Sequence, residues 1–319
     1  MVRQIAGRLM VWAAIAWIMG AQMWGGGVAA DDGRRFVHGG DGRIELFNTK
    51  NGRSFLGTFR QGARLYDRQA IEGIRSVFES PLDDPLAVIS LRLIEFIDHL
   101  QDHFDPEARI EIASGWRSPT YNANLQKKGR LAATASLHQY GMAADIEIQG
   151  VASERVWHYV RELGFGGAGY YHGRLVHVDV GPARFWDETS SGVGSGLSDD
   201  NKLIGLVTDF DVYRPGEDVV LRFIRMTAFP IGVTPEFVLE RVDVSDGPRK
   251  AACGRPHFSI EIDGPCPQFS SIAEMMAIRF RLPQTLSAGR YVLRASFCRS
   301  SWEAMPTSVA TSSFEIVQF

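Results

Sequence analysis

A chain of 319 residues that is 45% hydrophobic and 22% charged has room for two domains with cores of their own. Thirty-four Lys and Arg against 37 Asp and Glu leave a formal net charge of −3. With no basic excess, nucleic acid is excluded as the expected partner, and bulk charge does not draw the chain to an anionic polymer.

The first thirty residues read as an export signal. Arg3 and Arg8 precede an apolar run from Leu9 to Met23, and Val28-Ala29-Ala30 offers small residues for cleavage before Asp31. The run is short for a membrane span, so the expectation is a periplasmic or secreted protein with no stable span once the signal is removed.

Beyond it, Arg43–Phe47 and Ser54–Phe59 alternate around Asn51-Gly52, which predicts a hairpin. Asp84-Pro85 reads as a helix start, with Leu86, Ile89, Leu93, Phe96, Ile97 and Leu100 on one face. Arg109–Ala113 reads as a strand that runs into Ser114-Gly-Trp116-Arg117, and Ser118-Pro119 opens a helix to about Lys128. Ala143–Ile148 and Leu175–Val180 read as strands. Between them, Ser153 reads as the cap of a helix that Gly164 ends.

The pattern then changes. Ser190-Ser-Gly-Val-Gly-Ser-Gly has linker composition. Seven short strands follow: Leu203–Val212, Val219–Arg225, Phe237–Val244, Phe258–Ile262, Ala277–Leu282, Tyr291–Phe297 and Ser313–Val317. They predict an all-β sandwich of the immunoglobulin kind. The expected organisation is therefore a signal at 1–30, an α+β domain at 31–189, a linker at 190–198 and a β-sandwich at 199–319. The first domain is expected to fold alone. Cys253, Cys266 and Cys298 all lie in the sandwich region, where two of the three can pair after export.

The chemistry concentrates in Ser136-Leu-His138-Gln-Tyr-Gly141-Met-Ala143-Ala-Asp145 and in His177-Val-Asp179. His138, Asp145 and His177 supply two imidazoles and one carboxylate, a donor set that suits Zn2+ with a fourth position open. An open position marks a catalytic rather than a structural zinc, so the chain reads first as a zinc hydrolase. A rigid strand platform under Asp145 and His177 fits that reading.

The motif order resembles the zinc D-alanyl-D-alanine peptidases, in the branch of periplasmic murein endopeptidases. It is carried by Asn48-Thr-Lys-Asn-Gly52, Ser114-Gly-Trp-Arg-Ser-Pro119, Ser136-Leu-His138, Gly166-Gly-Ala-Gly-Tyr-Tyr171 and His177-Val-Asp-Val-Gly181 with Arg184 and Trp186. The resemblance spans roughly residues 40–187. It implies a catalytic domain with a small antiparallel sheet and packed helices, peptidoglycan peptides as substrate, and His138, Asp145 and His177 as ligands. It also makes Arg117 the residue that stabilises the oxyanion, a role a fixed guanidinium suits. One departure matters: many relatives carry a Glu three residues, or a His two residues, before the last ligand, where this chain has Arg174 and Leu175. Asp179 is then the candidate general base, with orientation of a ligand as its other reading. His172 is a weaker proton donor candidate. The competing reading is a cell-wall-binding scaffold that kept its zinc and lost turnover, with the sandwich contacting a protein partner.

Overall fold

The computed structural model describes residues 33–84, 87–128, 135–190, 204–224, 230–245, 247–258, 260, 264–276, 278–301 and 305–318. The expected export signal and nearly all of the expected linker lie outside the described residues. Among the described residues no helix is long and apolar enough to cross a membrane.

The first half holds strands β1 (Arg43–Asn48), β2 (Ser54–Thr58), β3 (Arg60–Gln61), β4 (Leu65–Tyr66), β5 (Ile110–Ser114), β6 (Ala143–Ile148), β7 (Gly167–Tyr170), β8 (Val176–Asp179) and β9 (Arg184–Asp187). Helices α1 (Arg68–Val77), α2 (Leu91–Phe104), α3 (Pro119–Lys127) and α4 (Ser153–Leu163) accompany them, with a 3₁₀ turn at Leu137–Tyr140. Seven strands form one sheet in the order β2-β1-β5-β6-β8-β7-β9. The expected antiparallel sheet is in fact mixed, because β1 pairs with β5, and β7 with β9, in parallel. The chain between β1 and β5 carries α1 and α2, long enough to return in the same direction.

The Asn51-Gly52 hairpin forms as expected. Asn48 holds it: Oδ1 accepts from the Lys50 and Asn51 amides, and Nδ2 donates to the Val77 carbonyl at 2.6 Å. Two helix starts differ from the sequence reading. Helix α2 begins at Leu91 after Ser90, not at Asp84-Pro85. The Ser90 amide donates to the Gly141 carbonyl at 2.9 Å, so the chain just before the helix is drawn to the 3₁₀ turn. Helix α4 is capped at Ala152, and Ser153 instead donates its hydroxyl to the Gly173 carbonyl.

The described residues of the second half hold strands and one 3₁₀ turn (Ala273–Met275): β10 (Gly205–Thr208), β11 (Val212–Tyr213), β12 (Asp218–Ile224), β13 (Ile231–Arg241), β14 (Arg249–Gly254), β15 (Gln268–Phe269), β16 (Ile278–Arg281), β17 (Gly289–Phe297), β18 (Ser308–Ala310) and β19 (Phe314–Ile316). One sheet runs β10-β12-β16 and the other β11-β19-β17-β13-β14, with β15 beside β13 and β18 beside β17. Phe223, Phe237, Phe269, Ile278 and Leu293 from both sheets bury one core. The strand expected at Phe258–Ile262 is not seen at its described end. Phe258 is buried outside any strand, and His257 makes a single bridge to Arg279. Strand β14 was not anticipated. Cys266 and Cys298 form a disulfide, and Cys253 is free.

The two halves touch each other directly. Arg92 of α2 donates to the Thr208 carbonyl at 2.7 Å and pairs with Asp211 at 2.7 Å. Arg35 pairs with Glu217 at 2.6 Å. Val207 and Ile224, from the second half, belong to the core of the first.

Candidate metal centre

The register of the sheet assembles the site. Ser114 pairs with Asp145, Asp145 with His177, His177 with Gly169, and Gly169 with Trp186. Residues in such a row share one face, so five strands meet along a single line, four of them with a side chain. The next row runs Ala143, Asp179, Gly167 and Arg184. His138 enters from the 3₁₀ turn, whose end at Gly141 takes a left-handed φ of 61°.

His138, Asp145 and His177 are buried, and each places a donor atom within 4.8 Å of the others. Asp145 Oδ1 is the meeting point: His177 Nδ1 lies 3.0 Å away and His138 Nε2 3.5 Å away. The far nitrogen of each ring is anchored. His138 Nδ1 donates to the Gly115 carbonyl at 2.7 Å, and His177 Nε2 donates to Asp179 Oδ2 at 3.0 Å. Those partners assign the tautomers and turn a lone pair of each ring towards Asp145. His138 Nε2 is buried and has no hydrogen-bond partner. An orphaned buried acceptor is costly, and a cation among these three donors would satisfy it. The residues therefore fit a metal ion.

The electrostatics of His138 and Asp145 agree. Burial lowers the pKa of His138 despite the charge on Asp145, which keeps it a neutral ligand. Burial also opposes ionisation of Asp145, but His138 and His177 outweigh it and hold that carboxyl well below its usual range. Burial acts to lower His177, yet its bonds to Asp145 and Asp179 win and raise it.

Arg117 lies beside the three donors. Its Nη2 donates to Asp145 Oδ2 at 2.6 Å and its Nε to Ser114 Oγ at 2.9 Å. Tyr171 donates its hydroxyl to Asp145 Oδ1 at 3.0 Å, and burial, with Asp145 beside it, raises its pKa so that it stays a donor. Asp179 sits directly behind His177 with no exposed surface. Its Oδ2 also pairs with Arg184 at 2.6 Å, and its Oδ1 accepts the Gly181 amide at 2.9 Å. Its own burial opposes ionisation, but Arg184 first, then His177, hold its pKa low. His172 is bonded to Asp187 at 2.8 Å and takes no part in the donor group. Arg174 is exposed and pairs with Glu147 at 2.8 Å.

Three contributors stand in the motifs but were given no role in the site by sequence reasoning. Ser114 orients Arg117, a role signalled only by their spacing of three. Arg184 clamps Asp179. Trp186, which reads as core, packs its indole 5.7 Å from the His177 ring and 5.2 Å from Tyr171. Gly169 leaves room for it, since a Cβ there would overlap the indole, and a Cβ at Gly167 would overlap Asp179. The glycine run thus serves neighbouring side chains. A cavity of about 300 Å³ lies elsewhere, at the junction of the halves, lined by His38, Arg92, Phe165 and Asp211 among others, and holds none of the three donors.

This fold and donor set fit a metallopeptidase domain. The family model described as peptidoglycan L,D-endopeptidase MepK matches residues 39–186, and the match supports, for that stretch, the zinc D-alanyl-D-alanine peptidase superfamily in its murein endopeptidase branch. Peptidoglycan L,D-endopeptidase MepK of Escherichia coli (strain K12) is 29% identical over 144 residues, which cover 45% of this chain and 79% of the relative. The probable peptidoglycan L,D-endopeptidase MepK of Haemophilus influenzae is 40% identical over 80 residues, covering 25% and 43%.

Proposed function

We propose that the chain is an exported zinc metallopeptidase that hydrolyses amide bonds in peptidoglycan stem peptides or cross-links. The observation that carries this reading is the row Ser114, Asp145, His177 with His138 beside it. Both imidazole tautomers there are fixed and one buried lone pair is left unsatisfied. The substrate class rests on the named relatives. The export pattern of residues 1–30 supports a periplasmic location.

In this reading His138 Nε2, Asp145 Oδ1 and His177 Nδ1 hold Zn2+. When bound, the ion supplies a Lewis acid for the scissile carbonyl and lowers the pKa of a water to about 7. Arg117 holds Asp145 and keeps a cationic fork beside the reacting centre, where negative charge develops on the carbonyl oxygen. Tyr171 keeps its proton and donates at Asp145 Oδ1. Asp179, enclosed by His177, Arg184 and the Gly181 amide, orients His177. That enclosure favours orientation over the role of general base. The second half reads as a β-sandwich of the immunoglobulin kind that contacts wall or a protein partner.

A second reading, a wall-binding protein without turnover, draws on Arg174 and Leu175 at positions where many relatives carry a base. Digestion of purified sacculi separates the two. New peptide ends identified by mass, lost with chelator and restored by zinc, are the expected result. Zinc-loaded protein that binds wall and releases nothing would favour the scaffold.

A further inference from the structure

Strand β12 works for two cores at once. Val219, Leu221 and Phe223 face the core of the second half, whereas Ile224 belongs to the core of the first. Its neighbour β10 divides the same way, with Leu206 in the second core and Val207 in the first. Alternation along the strand puts Arg222 on the same side as Ile224. Both meet the segment that carries His138. Arg222 Nη1 donates to the Tyr140 carbonyl at 3.4 Å, at the end of the 3₁₀ turn. Ile224 shares a core with Leu137, at the start of the turn, and both flank Gly181: a methyl group there would lie 2.7 Å from Leu137 Cδ1 and 3.8 Å from Ile224 Cδ1.

The rest of the turn is held by the first half. The Arg117 amide donates to the His138 carbonyl at 3.2 Å, and the Met142 amide to the Leu137 carbonyl at 3.0 Å. At Gly141, with its left-handed φ, a Cβ would overlap the Val88 carbonyl. The turn and the residue that follows it are thus held by the peptidase half, and Arg222 reaches the same turn from β12.

We propose that Arg222 and Ile224 are positioning residues for the metal centre. From the second half they brace the Leu137–Tyr140 turn and fix the direction of His138, which makes that half part of the site's scaffold. The proposal rests on the reading of His138 as a zinc ligand.

The test uses the full chain after signal removal, loaded with zinc or with cobalt. Arg222→Gln is expected to release zinc to a competing chelator about 10-fold faster, a loss of the size typical when a ligand's outer support is removed. Its cobalt absorption spectrum should shift, and kcat should fall with KM little changed. Arg222→Lys should recover part of each effect. Arg35→Gln, which breaks the Arg35–Glu217 pair at the same junction, is the control. It should lower the melting temperature and leave zinc release and the cobalt spectrum as in the parent. Parental zinc release by Arg222→Gln, or equal acceleration by Arg35→Gln, overturns the proposal. If Arg222→Gln does not fold, Ile224→Val replaces it, with zinc release about threefold faster expected and parental release overturning. Full zinc content in His138→Ala would instead remove the ligand assignment, and this proposal with it.

Discussion

Asp145 and Asp98 are both buried carboxylates of the first half, and they are kept in opposite states. Asp145 is met by Arg117, Tyr171 and two imidazoles, and its pKa is driven well below the usual range. Asp98 sits on α2 one turn from Asp102 and close to Asp41. It accepts the Gly42 amide at Oδ2, and its Oδ1 has no partner. Arg60, the cation nearest at hand, is already paired with Glu95 at 2.7 Å. Burial, with Asp102, Glu95 and Asp41 adding to it, pushes Asp98 up to about 8. Both groups bring three possible donors together. Only the first combines neutral nitrogens, a charged carboxylate and fixed tautomers, so convergence of acidic residues is not by itself a zinc centre.

The strongest way to break this contrast is to remove the charge that the first cluster preserves. Asp145→Asn is expected to lose zinc and to reduce wall hydrolysis to background. His138→Ala and His177→Ala should each lower metal content several-fold. Elemental analysis of the purified variants checks this, and full occupancy in the two histidine variants would dismantle the site. Arg117→Lys should still fold and retain zinc, because lysine keeps one cation near Asp145. It loses the planar fork that reaches Ser114 and Asp145 together, and turnover is expected to drop on the order of 10²–10³-fold. A parental rate would leave Arg117 as a structural partner of Asp145.

Asp179→Asn sharpens the contrast further, since Asp179 is a third buried acid, kept ionised by Arg184 and His177. An amide can donate as well as accept, so it no longer enforces the proton on His177 Nε2. Zinc affinity and activity should fall together, by roughly 10–100-fold. Loss of rate with unchanged zinc affinity, accompanied by loss of the acidic limb of the pH profile, would return Asp179 to the role of base.

Much of this site was legible before the fold. His138, Asp145 and His177 stand in segments whose residue types and strand alternation announce them, and Arg117 immediately precedes a cap-plus-proline helix start that does form. Register was not legible. That Ser114, Asp145, His177 and Trp186 share a row depends on which strands neighbour one another, and alternation within a strand says nothing of that. The start of α2 was misplaced because Asp84-Pro85 is a strong local signal, while the bond from Ser90 to Gly141 is long-range. The same limit hid the junction. Apolar residues on both faces of β12 announce burial, and sequence does not say that one of the covers is the peptidase half.

The smallest expected effect concerns Asp98, and it tests the other side of the comparison through pH. The folded value of about 8 stands above the ordinary 3.8, so the native state holds this proton more tightly than the unfolded chain. Below about pH 4 both states are protonated and Asp98 costs nothing. Between about pH 4 and pH 8 the unfolded chain gives up the proton first, and native stability falls as pH rises. Above the folded value the penalty is constant. Asp98→Asn removes the ionisation and keeps an oxygen for the Gly42 amide. It should therefore melt with the parent near pH 4 and a few degrees above it at pH 8, for a gain of roughly 1–3 kcal/mol out of the larger ceiling that the shift implies. Thermal unfolding of both proteins across that range checks the sign. A difference that does not change with pH would mean that Asp98 is ionised throughout, with its charge compensated in the folded state after all.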